Sequence, residues 1–211
     1  MASQRTVVVL AAGKGSRFSS AAHKLAQPLG EASVLAATLA NAIASHLHVV
    51  VVTTERFAAV ARSSVAARDV VVLADVGSAG AGPLGMGVSI AAGIHAQPDA
   101  AGWLILPGDM PLVRPATLQA VARALDEHPV VFAQHRGRRG HPVGFAAELY
   151  SELAGLSGDE GARRVIARYP AHGVESDDPG ILVDIDTAAD LERVQAALAA
   201  ALPDEAGAVR R

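Results

Sequence analysis

Three short stretches of this chain set charged side chains where phosphate chemistry could use them. The first, Leu10-Ala11-Ala12-Gly13-Lys14-Gly15-Ser16-Arg17, follows a run of β-branched residues. Its glycines and alanines let backbone N–H groups approach an anion closely. Lys14, Arg17 and Lys24 lie in or just beyond it, and these two lysines are the only ones among the 18 basic residues. A compact ammonium docks on a phosphate oxygen as a point charge where a planar guanidinium does not fit. The second stretch, Leu106-Pro107-Gly108-Asp109-Met110-Pro111, brackets a carboxylate with prolines that fix the backbone and so aim it. The third, Val183-Asp184-Ile185-Asp186-Thr187, sets Asp184 and Asp186 on one face if the segment is a strand.

Negative charge beside a phosphate loop repels the ligand unless a cation intervenes. Two carboxylates from different strand ends are suited to Mg²⁺, which takes hard oxygen ligands, few of them from protein. Asp109 and Asp186 are therefore the candidate metal ligands. Taken singly, the loop also reads as a glycine-rich turn, Asp109 as a turn former and Asp186 as a helix-entry residue. Two rival phosphate motifs fit less well. The Gly-Lys-Ser/Thr order of a P-loop is missing, and a dinucleotide fingerprint needs a third glycine where Phe18 stands and an acid ~20 residues on. Glu55 is about twice that far. His141, in the basic stretch around Arg139, is either an anion-binding group or a loop histidine bonded to a neighbour. None of the other seven histidines shows metal-ligand spacing with an acid, which argues against zinc.

These residues need strands that end together. Short apolar runs alternate with alanine-rich helical stretches, the pattern of a parallel α/β sheet with crossover helices. The expected strands are 6–10, 48–53, 69–73, 103–106, 130–135 and 182–185. The expected helices are 34–45, 56–67, 87–94, 115–127, 147–153, 161–167 and 188–202. Ser33 and Thr187 read as N-caps, and Thr187 with Asp190 as a capping box with a shortened acid. Residues 137–145 read as an irregular contact loop or a solvated hairpin. No linker or repeat divides the chain, so one domain over 1–202 is expected, with a frayed tail at 203–211.

Composition narrows the function. With 211 residues, 51% of them hydrophobic, the chain can bury a sizeable core. It has no cysteine, which excludes disulfides and thiolate chemistry and fits a cytoplasmic location. A net charge of −3 without a basic tail offers no long-range field to recruit nucleic acid or anionic membrane. No apolar run nears the roughly 18 residues of a membrane span.

Taken in order, Leu10–Arg17 with Lys24-Leu25, Leu106–Leu112, Arg139-Gly140-His141-Pro142-Val143, Gly158–Arg163 and Asp184–Thr187 resemble the MobA-like nucleotidyltransferases of the molybdenum cofactor group, nearest to the cytidylyltransferase-like branch. The resemblance covers about residues 5 to 200. It implies a Rossmann-like three-layer α/β/α sandwich with a mixed, mostly parallel sheet. It also implies transfer of a nucleotidyl group, CMP favoured and GMP open, from a nucleoside triphosphate to the phosphate of molybdopterin cofactor, releasing pyrophosphate. By motif, Leu10, Ala11, Ala12 and Gly13 would line base and ribose, while Gly15, Arg17 and Lys24 face the triphosphate. Pro83, Gly87 and Ser89 fall beside the base. Arg139 and His141, with Asp159 and Glu160 in the Gly158–Arg163 segment, would face the acceptor. Asp109 and Asp186 would hold Mg²⁺. The chain departs from that branch where Phe18–His23 intervenes before Lys24. Two other readings stay open: an NAD(P)H-dependent oxidoreductase of the same branch, and a non-catalytic chaperone delivering the cofactor to a molybdenum hydroxylase.

Overall fold

Unbroken valine runs make strands that can be buried on both faces, and two of them form neighbouring inner strands of the sheet. In the computed structural model, which describes residues 4–15, 18, 23–74 and 85–201, β1 (Thr6–Ala11) lies between β4 (His48–Thr54) and β6 (Gly102–Pro107), parallel to both. Val8 stands opposite Val50 on one side and Ile105 on the other. The short β5 (Val70–Leu73) extends the parallel half beyond β4. On the other side β8 (Arg138–Ala146) pairs antiparallel with β6 and with β7 (Val130–His135), and β9 (Ala171–Glu175) closes that edge parallel to β7. The seven-stranded order is β5-β4-β1-β6-β8-β7-β9. β2 (Pro28–Leu29) and β3 (Ala32–Ser33) form a separate small hairpin.

Side-chain alternation along the strands divides the core into two layers. Val7, Val9, Leu104 and Leu106 pack with Leu35 and Leu39 of α1 (Val34–Ala44), Phe57 of α2 (Glu55–Ser64), Leu118 of α4 (Pro115–Ala124) and Leu191 of α7 (Ala188–Ala201). Val8, Val50, Trp103 and Ile105 pack with Ile90 and Ile94 of α3 (Met86–Ala96), Leu153 of α5 (Tyr150–Ala154) and Val165 of α6 (Arg163–Ile166). The result is the expected Rossmann-like α/β/α sandwich with a mixed, mostly parallel sheet. No described helix is long and apolar enough to cross a membrane.

Four expectations are corrected, and one strand was not expected. Residues 137–145 belong almost entirely to β8, the inner strand between β6 and β7; Arg136 (φ 50°) and Gly137 (φ 76°) form a primed two-residue hairpin turn, but the strand is not solvated, since Pro142, Gly144 and Phe145 are buried. β9 was not foreseen. The expected strand 182–185 is instead a 3₁₀ turn, Pro179–Leu182, followed by a segment outside the sheet that Ile185 N ties to Asp109 O. Asp178 makes that turn: fully buried, it accepts hydrogen bonds from Gly180 N, Arg114 N and Thr117 Oγ1 at 3.0, 2.8 and 2.7 Å. The expected helix at 161–167 shrinks to Arg163–Ile166, and that at 147–153 is a 3₁₀ turn leading into α5. The tail expected at 203–211 lies outside the described residues.

Candidate active site

The chain runs β1, β4, β5 to one side and then returns to β6 on the other, so a crevice opens between the carboxyl ends of β1 and β6, the ligand position in such sheets. The loops leaving these strands are tied together. Gly108 N donates to Leu10 O at 2.8 Å, and a Cβ at Gly108 would stand 3.0 Å from that oxygen. From α1, the buried Thr38 Oγ1 donates to Gly108 O at 2.9 Å and Asn41 Nδ2 to Pro111 O at 2.7 Å, so one helix grips both sides of Asp109. Ile185 N donates to Asp109 O at 3.0 Å, which brings Asp186 alongside. The capping box then fixes Asp186 from behind: Thr187 N donates to Asp190 Oδ2 at 2.7 Å, Asp190 N to Thr187 Oγ1 at 3.2 Å, and Asp186 N to Asp190 Oδ2 at 3.2 Å.

Between the two carboxylates sits Lys24. Its Nζ lies 2.5 Å from Asp109 Oδ2 and 2.6 Å from Asp186 Oδ1, with the lysine and Asp109 side chains only 14% and 15% exposed. Burial disfavours the ammonium, but the charge and hydrogen bond of Asp109, followed by those of Asp186, outweigh it and hold the lysine above its ordinary value. Asp109 Oδ1 is buried without a hydrogen-bond partner. Such an orphaned hard oxygen beside a second carboxylate fits a divalent cation. Among the described residues no group of three or more His, Asp or Glu is arranged to hold a metal, so water and substrate oxygens would supply the remaining ligands.

Lys24 reaches this position from a 3₁₀ turn, Lys24–Ala26, whose N-cap is His23. The same imidazole touches the glycine loop, Nε2 lying 3.0 Å from Gly13 O. Leu10, Ala12, Gly13, Lys14 and Gly15 line the cavity; Ala11, expected there, turns its side chain into the core. Arg17 and Pro83 lie outside the described residues.

The facing walls complete a cavity of about 750 Å³. Because β8 runs antiparallel to β6, its first residues hang over the carboxyl end of β6, and Arg138, Arg139 and His141 reach the cavity. Arg139 is steadied by the Phe132 ring, its guanidinium carbon 4.3 Å from the centroid. Burial lowers the pKa of His141, opposed by the charges of Asp109 and then Asp184. On the third wall Gly85 and Gly87 lie against the backbone of Ser157–Gly158, and Gly87 N donates to Gly158 O at 2.9 Å. That contact carries Asp159 to the cavity, beside Met86 and the buried Ser89. Gly87 serves the contact and does not line the cavity. Glu160 does not reach it either: it pairs with Arg164 over a separate cavity of about 200 Å³. Sequence reasoning passed over His23 and Met86. A histidine directly before the sole lysine of a 3₁₀ turn was the one available signal; an exposed methionine at a helix start gives none.

A glycine loop, a bridging lysine and paired carboxylates at the switch point of such a sheet are suited to a polyphosphate ligand with a divalent cation. Residues 7–174 match the family model of the MobA-like NTP transferase domain, and the chain belongs to that family. Rv0371c from Mycobacterium tuberculosis H37Rv is similar at 29% identity and TM-score 0.73, over 93% of this chain and 99% of that one; another crystal structure of Rv0371c is a complex with manganese. A nucleotidyl transferase from Methanothermobacter is 26% identical with TM-score 0.75, over 93% and 98%. The bifunctional protein GlmU of Xanthomonas campestris is 32% identical over 135 residues, 64% of this chain, which spans only 29% of GlmU.

Proposed function

We propose that the chain transfers a nucleotidyl group, CMP by preference, from a nucleoside triphosphate to the phosphate of molybdopterin cofactor, releasing pyrophosphate. The observation that carries this reading is Lys24 poised between Asp109 and Asp186, with the glycine loop on one wall and the Arg138–His141 strand on the other. An acceptor phosphate is already ionised at neutral pH, so the reaction requires no protein nucleophile. What it requires is that two anions approach in line while charge grows on the leaving pyrophosphate, which positioning and preorganised positive charge accomplish.

The residues divide that work. Backbone N–H groups of Gly13–Gly15 cradle the triphosphate, and Lys24 neutralises it as charge develops. Leu10, Ala12 and Ser89 border the base and ribose. Arg139, with Arg138 and His141, holds the acceptor phosphate, and Asp159 faces the neutral part of the acceptor. Asp109 and Asp186 would hold a divalent cation, Mg²⁺ by charge and hardness, which supplies neutralisation of the phosphate oxygens when bound.

Incubation with Mg²⁺, labelled CTP or GTP and molybdopterin cofactor is expected to yield labelled dinucleotide and pyrophosphate. Lys24→Ala and Asp109→Ala should each lower kcat by about 10²–10³-fold. Failure to form product with either triphosphate would overturn the reading; NAD(P)H-dependent turnover would favour the oxidoreductase, and cofactor binding alone the chaperone for a molybdenum hydroxylase.

A further inference from the structure

We propose that His23 is a positioning residue of the nucleotide site, clasping the glycine loop to the turn that carries Lys24. The inference rests on the nucleotidyltransferase reading and concerns a side chain to which that reading gives no task. Its two ring nitrogens have different jobs. Leu25 N donates to Nδ1 at 3.2 Å, which makes His23 the N-cap of the Lys24–Ala26 turn. An accepting Nδ1 leaves the ring proton on Nε2, and Nε2 donates it to Gly13 O at 3.0 Å.

The ring also shapes the loop by occupying space. Gly15 has φ +61°, and a Cβ there would stand 2.6 Å from His23 Nε2. Glycine is thus required both by its backbone angle and by the ring lying against it. The imidazole is itself braced by Phe57 of α2, a core residue whose ring meets it edge-on at 4.8 Å between centroids. One side chain therefore connects the core, the loop that would cradle the triphosphate and the turn that aims the ammonium. The arrangement needs a neutral ring, since a protonated Nδ1 has no lone pair for Leu25. The surroundings favour that form: burial lowers the pKa, the Gly13 carbonyl opposes it, and the cations Arg56 on α2 and Lys24 lower it further.

Two variants separate the jobs. Asparagine is a good N-cap and can still accept from Leu25 N, but it is too short to fill the space beside Gly15. His23→Asn should therefore raise KM and the calorimetric Kd for Mg²⁺–CTP, or for Mg²⁺–GTP if that is the nucleotide bound, by about tenfold, with a smaller effect on kcat. His23→Ala loses both contacts and should lower kcat as well. In the free protein, amide exchange at residues 13–15 should quicken by about tenfold in both variants while α1 and β1 keep their protection. Wild-type KM should climb as the pH falls below 6.5, and that climb should vanish in His23→Asn. Wild-type nucleotide affinity and unchanged loop exchange in His23→Asn would overturn the proposal. If the wild-type protein binds neither triphosphate, the nucleotidyltransferase reading fails instead, and the exchange rates alone decide whether the clasp exists.

Discussion

Lys24 occupies the space in which a divalent cation would meet its two carboxylates. The ammonium lies within 2.6 Å of an oxygen from each of Asp109 and Asp186, and two cations cannot share so small a space without strong repulsion. In the proposed site, metal binding and the lysine bridge would therefore compete, and a triphosphate would relieve the competition by giving the ammonium another anion to pair with. Lys24→Met keeps most of the side-chain volume and removes the charge. It should bind Mn²⁺ in the absence of nucleotide about tenfold or more tightly than wild type, since each carboxylate regains a full charge for the ion. Manganese electron paramagnetic resonance titration measures this directly, with Lys24→Met/Asp109→Asn as the control that loses the gain. Equal manganese affinity for wild type and Lys24→Met would show that the bridge does not guard the site.

At the scale of elements, the site depends on backbone segments pressed together. Gly85 is the tightest case: a Cβ there would lie 2.0 Å from Gly158 O, so alanine must push α3 away from the segment carrying Asp159. Gly85→Ala should cost about 1–3 kcal/mol, read as a lowered denaturation midpoint, and should weaken acceptor binding more than triphosphate binding. Thr38→Val tests the other wall. It strips the buried carbonyl of Gly108 of its hydroxyl donor at nearly constant shape, for about 1–2 kcal/mol, and frees the Asp109 turn, so kcat should fall with stability. The sequence exposed the elements whose signals are local. Ser33 caps α1 through Ala36 N at 3.2 Å, and the Thr187–Asp190 box opens α7. It hid β8, because Gly140, Pro142 and Gly144 are turn residues on any local scale. Their reason is tertiary: a Cβ at Gly140 would lie 2.3 Å from Ile181 O, and one at Gly144 would crowd Val121. The apolar alternation Ile181, Val183, Ile185 imitated a strand for the opposite reason: Ile181 and Ile185 are buried in the core, while Val183 N donates to Gly180 O within the turn and Ile185 N to Asp109 O. Asp109, Asp186 and Lys24 were legible through the types and order of their motifs, whereas the direct contact among them is a product of the fold.

Across the whole molecule, a net charge of −3 leaves no broad positive field, and the described cationic groups that face the cavity are gathered at one rim of the sheet, from the loop after β1, the Lys24 turn and β8. Nucleotide affinity should accordingly depend on salt through local contacts, with little long-range steering of the association rate. The same rim sets how stability responds to acid. His23 and His141 both have pKa values lowered in the folded protein, chiefly by burial, so the unfolded chain binds protons to these two residues more readily than the folded one. A lowered histidine contributes its full stabilisation above the unfolded value near 6.5 and loses it as the pH falls from there toward and through the folded value. The denaturation midpoint should therefore drop between pH 7.5 and 5, and the drop should be shallower in His23→Asn and shallower still in the His23→Asn/His141→Gln double variant. Denaturant titrations at fixed ionic strength across that range measure the slope. A wild-type midpoint that is flat or rises toward pH 5 would mean that the two rings are not held neutral, and the hydrogen bond from Leu25 N to His23 Nδ1 would then have to be reassigned.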